Sequence, residues 1–182
     1  MADAARIQRD IRGTVWYLDH VRKQGALRVQ AATPARLRRA MANLSRADLA
    51  HRPAPGKWSI KEIICHLADV EVVNGWRYRM ILAQSGSPLT AFDQDRWAGE
   101  TAYRRQDPAL ALEAFTALRR RHLALIRATP RSAWSRFGIH EERGRTTFRD
   151  FVEWIAAHDL NHLAQVARVR GLLASRRRSR KR

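Results

Sequence analysis

Ser59-Ile60-Lys61-Glu62 is the passage that most limits what this chain can fold into. A serine followed three residues later by a glutamate, just ahead of an apolar run, lets two otherwise free amides at a helix start be satisfied reciprocally. Trp58 before the cap and Ile63 one position past the glutamate stand ready as a hydrophobic staple. Upstream, His51-Arg52-Pro53-Ala54-Pro55-Gly56-Lys57 reads as loop, because two prolines and a glycine in four residues cannot continue a helix. Downstream a helix is expected from Ile60 to about Gln84, with Ile60, Ile63, Leu67, Val70, Asn74 and Ile81 as its seam. At about 100° per residue His66 falls at the edge of that seam and points inward or nearly so.

Three more segments share the helical period. Thr33-Pro34 reads as a start, hydroxyl cap followed by proline, for a helix carrying Leu37, Ala40, Met41 and Leu44 and ending near Leu49. Asp107-Pro108 opens another through Ala111, Ala114, Phe115, Leu118, His122, Leu125 and Ile126, ended by Thr129-Pro130. Thr147-Phe148-Arg149-Asp150 resembles a second capping box and launches a helix whose stripe is Phe151, Ile155, His158, His162, Gln165 and Val169, stopping near Gly171. Strand-type alternation is absent apart from a short hairpin around Gly144, so the expected class is all-α, a four-helix bundle. Its second and third helices are joined by a long crossover, residues 85–107; Phe92, Trp97 and Tyr103 argue that this segment is ordered. The domain division expected is an N-terminal helical extension over residues 1–32, with Ile7, Ile11, Val15, Leu18 and Val21 as its stripe, then the bundle over 33–173 and a basic tail over 174–182.

Charge and cysteine usage narrow the class further. The chain has 182 residues and a formal net charge of +18, a field that draws polyanions. Only four of its cations are lysine, and an arginine excess of that kind can reflect genome composition as readily as a ligand. Six of the eight residues from Ser175 to Arg182 are cationic, which reads as a disordered, self-repelling tail, solvated or else an arm for nucleic acid. Cys65 is the single cysteine, so no internal disulfide can form, which suits a reducing cytoplasm. The first residues hold no signal-peptide core and no run reaches the ~18 apolar residues of a membrane span, so a soluble intracellular protein is expected.

His158 and His162 stand one helical turn apart, so both imidazoles leave one face. Each ring nitrogen of a buried histidine needs a partner, which a metal on one side and a polar group on the other supply; two core histidines bonded to polar neighbours are the plainer reading. With His66 from the facing helix they make three nitrogen ligands, which leave a tetrahedral ion an open, catalytic position. Cys65, about 100° around the helix from His66, is a poor fourth ligand and a better small hydrophobe. Glu62 and Asp69, one turn either side of His66, are candidates to hold its second nitrogen, Glu62 being the more committed to its cap. Asp159 faces elsewhere and is expected to bond across to another element. His122 is read as a satisfied core histidine or a neighbour of the ion, and Asp93, Asp95, Trp97, His140, Glu141 and Arg143 as residues around a cavity mouth. Arg77 and Arg79 are read as covering the bundle with their stems. A metal here lowers the pKa of water to about 7 or binds a thiolate, so one site can serve hydrolysis or thiol transfer.

Pro53-Ala54-Pro55-Gly56-Lys57-Trp58-Ser59-Ile60-Lys61-Glu62-Ile63, then His66-Leu67-Ala68-Asp69, Phe92-Asp93-Gln94-Asp95 with Trp97, and His158-Asp159-Leu160-Asn161-His162-Leu163-Ala164-Gln165 resemble the DinB-like superfamily in content and order, over about residues 33–172. The resemblance implies a four-helix bundle holding zinc or nickel on three histidines, here His66, His158 and His162. It further implies kinship with S-transferases that use bacillithiol or mycothiol, with a mycothiol-dependent isomerase, and with homodimers. The expected function is a metal-dependent enzyme that turns a thiol co-substrate or water on a small electrophile. The competing expectation is a non-catalytic basic helical module that binds nucleic acid or another polyanion and keeps its metal as a brace.

Overall fold

The structure, a computed structural model, describes residues 13–179. Among them the chain forms α1 (Leu18–Gln24), α2 (Ala26–Met41), α3 (Arg46–Ala50), α4 (Ile60–Ala83), β1 (Pro88–Leu89), α5 (Gln94–Glu100), α6 (Pro108–Ala128), a 3-10 turn (Arg131–Ser135), β2 (Phe137–His140), β3 (Gly144–Thr147) and α7 (Phe148–Ser179). The four long helices form the expected bundle: α2 and α4 each pack against both α6 and α7. One apolar layer joins Leu37, Ile63, Leu67, Phe115 and Val169; the other joins Leu27, Tyr78, Ile126 and Phe151. The C-terminal halves of α2 and α7 thus lie beside the N-terminal halves of α4 and α6, so α2 and α7 run one way and α4 and α6 the other. Neighbours that run the same way need a connection that returns the length of the bundle, hence the long crossover between α4 and α6.

The caps act where their residues suggest. Ser59 and Glu62 form the reciprocal capping box of α4, and Glu62 also receives Arg52. Asp107 caps α6, and Thr147 with Asp150 caps α7. All six seam residues of α4 are buried. The crossover is ordered: β1 pairs parallel with β2, β2 pairs antiparallel with β3, and the hairpin turns at Gly144, whose φ of +67° favours glycine.

Five expectations need correction. Thr33-Pro34 does not begin a helix, since α2 runs through it from Ala26. A proline inside a helix removes the bond to the carbonyl four residues back, at a cost of ~3 kcal/mol or more; here the Gln30 carbonyl accepts instead from Arg119 Nη1 at 3.2 Å. That helix ends at Met41, and Ser45 with Asp48 caps a separate α3 that reaches Ala50. On α6 Ala111, Phe115, His122 and Ile126 are buried as expected, but Ala114 is exposed and Leu118 and Leu125 only half-buried, while Leu112, Arg119 and Leu123 are buried in their place. Val15 is exposed although Val21 of the same stripe is buried; Ile7 and Ile11 lie outside the described residues. Finally, α7 does not stop near Gly171 and the tail is not disordered as far as Ser179, because Arg177 pairs with Asp48 at 2.5 Å and Arg176 Nη1 reaches His51 at 3.0 Å. No described helix is long and apolar enough to cross a membrane.

Candidate metal centre

Within the bundle, α4 and α7 bring three imidazoles together. His158 Nε2 lies 3.3 Å from His66 Nε2 and 3.1 Å from His162 Nε2, and the three candidate ligand atoms all fall within 4.8 Å of one another. His66 and His162 are 1% and 5% exposed; His158 is the partly open member. Burial, and then the neighbouring His162, holds His66 and His158 well below the usual histidine range, so both rings are neutral at pH 7. On His158 the charge effects of His66, then Arg119 and Arg143, act in the same direction.

These distances fit a cation. Nitrogens 2.0–2.1 Å from a tetrahedral zinc are about 3.3–3.4 Å apart, close to the separations of His158 from its two neighbours. Imidazoles meeting through Nε2 bring lone pairs together that at most a shared proton can bridge pairwise, whereas one divalent ion satisfies all three. Ligation through Nε2 leaves Nδ1 as a donor, and His162 Nδ1 is 3.2 Å from Gln165 Oε1, the acceptor that orients a metal-binding histidine. The Nδ1 atoms of His66 and His158 are buried with no partner among the described residues.

The expected supports for His66 are engaged elsewhere. Glu62 stays in its cap, where burial raises its carboxyl but Arg52 and Ser59 outweigh that and leave it below the usual range. Asp69 accepts from the Tyr103 hydroxyl at 2.7 Å. His122 is a core histidine, its Nδ1 2.9 Å from Glu71. Its ring lies so close to α4 that a Cβ on Gly75 would stand 2.6 Å from Nε2. Asp93 caps α5 and Trp97 packs on Phe92 at 4.6 Å between centroids. His140 is buried in β2, its Nδ1 receiving the Glu142 amide, and burial with help from Arg143 and Arg77 pushes it down to about 3. The cluster of possible ligands therefore holds none of these, nor Cys65, which packs in the core.

Two participants escape sequence reading. Trp58 stacks near-parallel to His162, with centroids 6.4 Å apart, and lies 4.8 Å from His66. The same indole lines a cavity of about 740 Å³ with Arg52, Asp95, Gly99, Arg104 and Arg105. Arg119, hidden among three consecutive arginines, binds Glu71 at 2.9 and 3.1 Å, Asp159 through both oxygens and the Gln30 carbonyl. Asp159 thus reaches across to another helix as expected. Arg119 gave no signal beyond its place one residue off the apolar stripe.

A model of the DinB superfamily matches residues 31–166. The chain belongs to the DinB superfamily. Among its DinB relatives, a Bacillus licheniformis protein named "putative metal-dependent hydrolase" is 27% identical over 134 residues, 71% of this chain and 76% of that protein. The Bacillus subtilis protein YfiT, of like name, is 21% identical over 149 residues, covering 80% of this chain and 84% of its own. The solved YfiT structure, described as a probable metal-dependent hydrolase with an unusual four-helix bundle topology, superposes with a TM-score of 0.78 at 20% identity, over 84% of this chain and 87% of that one. A mycothiol-dependent maleylpyruvate isomerase superposes with a TM-score of 0.62 at 15% identity, over 79% of this chain and 60% of the isomerase.

Proposed function

We propose that this DinB-superfamily chain is a metal-dependent hydrolase whose ion is held by His66, His158 and His162. The observation that carries this reading is the meeting of three Nε2 atoms, two of them 3.1 and 3.3 Å from the third, with burial holding His66 and His158 well below the usual histidine range. His66, His158 and His162 would hold a divalent ion through uncharged imidazole nitrogens, and the ion would supply the charge that acidifies a water or keeps a thiol as thiolate. The chain's own residues do the rest. Gln165 fixes His162, Trp58 shields one side of the centre, and the partly open His158 marks the side left for substrate. The chain supplies no thiol nucleophile of its own, because burial and the nearby Asp69 push Cys65 up to about 12.

Thiol transfer is the second reading, favoured by the likeness of fold to the mycothiol-dependent isomerase and by the arginine-lined cavity beside Trp58. The polyanion-binding reading has less support, since Arg176 and Arg177 of the basic end are engaged by His51 and Asp48. The test is metal analysis followed by assay of an ester and amide panel with and without a low-molecular-weight thiol. About one ion per chain, lost in the His158→Ala, His162→Ala double variant together with activity, is expected; full metal content in that variant overturns the assignment. Turnover that needs the thiol selects transfer over hydrolysis.

A further inference from the structure

Arg119 sets the standard for a buried guanidinium in this fold: five hydrogen bonds for five N–H groups, to Glu71, Asp159 and the Gln30 carbonyl. Two other arginines fall far short of it. Arg77 lies on α4 eleven residues beyond His66, three turns on and within about 20° of the same face. It is 6% exposed, its Nη2 donates to the Thr90 carbonyl, and its Nε has no partner among the described residues. Arg143, in the β2–β3 turn, lays its guanidinium over Trp154, 4.4 Å from the ring centroid, and Trp154 is one helical turn before His158. Its Nε and Nη2 are buried and likewise without a partner.

The two guanidiniums act on each other and on the metal centre. Burial pushes Arg77 down to about 10, and burial with the charge of Arg77 pushes Arg143 down to about 10. Arg143 is also among the charges that disfavour a proton on His158. Glu142, on the exposed turn, attracts both cations at a distance, and Glu141 beside it attracts Arg77. Among the described residues no carboxylate stands within ion-pair range of either, Glu141 accepting instead from the Ala91 amide. Aromatic faces, Phe92 at 5.9 Å from Arg77 and Trp154 under Arg143, hold the two forks in place. A buried cation with open N–H groups is unfavourable unless an anion meets it, and a planar fork matches the paired oxygens of an oxyanion such as a carboxylate through two parallel hydrogen bonds.

We propose that Arg77 and Arg143 form an oxyanion subsite on the His66 face of α4, about three turns along the bundle from the histidine centre, which receives a carboxylate carried by the substrate and so selects small organic acids. This rests on the metal reading only for what lies at the substrate's other end. The subsite orients the acid by its charged group and leaves the remainder of the molecule toward His158.

The test is titration of the metal-loaded full chain, and in parallel of chelator-treated chain, with succinate and with its neutral diamide, followed by tryptophan fluorescence and calorimetry. Saturable succinate binding is expected in both preparations, weakened about ten- to a hundredfold in Arg77→Met and in Arg143→Met, with the diamide failing to bind. Both variants should keep the metal content of the parent and melt no lower, since each removes an unmatched buried charge. Succinate binding unchanged in the two variants, or absent from the parent, overturns the proposal; so does a fall in melting temperature as large as that of an Arg119 variant, which would mark a structural role. Loss of metal from the histidine variants bears on the metal reading alone, so the two failures are distinguishable.

Discussion

The bundle buries two polar clusters side by side, and they are built on opposite principles. Around Arg119 every charge has its complement: Glu71, drawn down to about 2 because Arg119 and His122 outweigh the burial that would raise it, and Asp159 on the other side. Arg119 itself is held well above the ordinary range because those carboxylates outweigh its burial. Around His158 the nearest polar atoms are two more imidazole nitrogens, and two of the three Nδ1 atoms have no protein partner among the described residues. The first cluster spends its bonding capacity on holding four helices in register. The second keeps capacity in reserve, and reserve at a buried site is what a ligand uses.

Breaking the matched cluster should have the largest effect. Arg119→Met strands two buried carboxylates and is expected to lower stability by about 3–5 kcal/mol in urea unfolding, whereas replacing Arg119, Glu71 and Asp159 together with apolar residues of similar volume should recover most of that loss. A loss below ~1 kcal/mol for the single variant would erase the contrast. Next comes the support of the unmatched cluster: Gln165→Ala should weaken metal affinity about 10- to 100-fold with little change in the unfolding midpoint of the metal-free chain, read by competition with a chelator dye.

Acid should separate the two clusters by a smaller, graded effect. In the metal-free chain His66 and His158 lie well below 6.5 and His140 near 3, so below pH 6.5 the unfolded chain binds protons that the folded chain does not. Stability is then full above pH 6.5 and declines as pH falls, by up to ~1.4 kcal/mol per pH unit for each such group. Glu71, lowered to about 2 from 4.5, adds its loss only below about pH 4.5. His140→Asn should shallow the slope throughout from about pH 6.5 to about pH 3 and leave the added loss from Glu71 below about pH 4.5 in place, as unfolding free energies across pH 7 to 3 would show.

Short-range chemistry made much of this molecule readable from its residues. Ser59 with Glu62, Asp107 with Pro108 and Thr147 with Asp150 each act within one turn of chain, so the starts of α4, α6 and α7 needed no knowledge of neighbours. The helical period likewise turned His66 inward and put His158 and His162 on one face. Thr33-Pro34 misled because the carbonyl that proline orphans is bonded by a side chain 89 residues away. Asp69 misled because Tyr103, 34 residues on, took the carboxylate first.

What the sequence determined by itself is therefore where the long helices begin, which faces they bury and that three imidazoles share a core. Tertiary structure alone decided which polar groups find partners: that Arg119 is saturated while Arg77 and Arg143 are not, that Trp58 covers the histidines, and that the arginine-rich end stays helical against Asp48 and His51. The physical reason is range. Caps and helical phase are settled over a few residues, but the satisfaction of a buried charge depends on whatever the fold places opposite it.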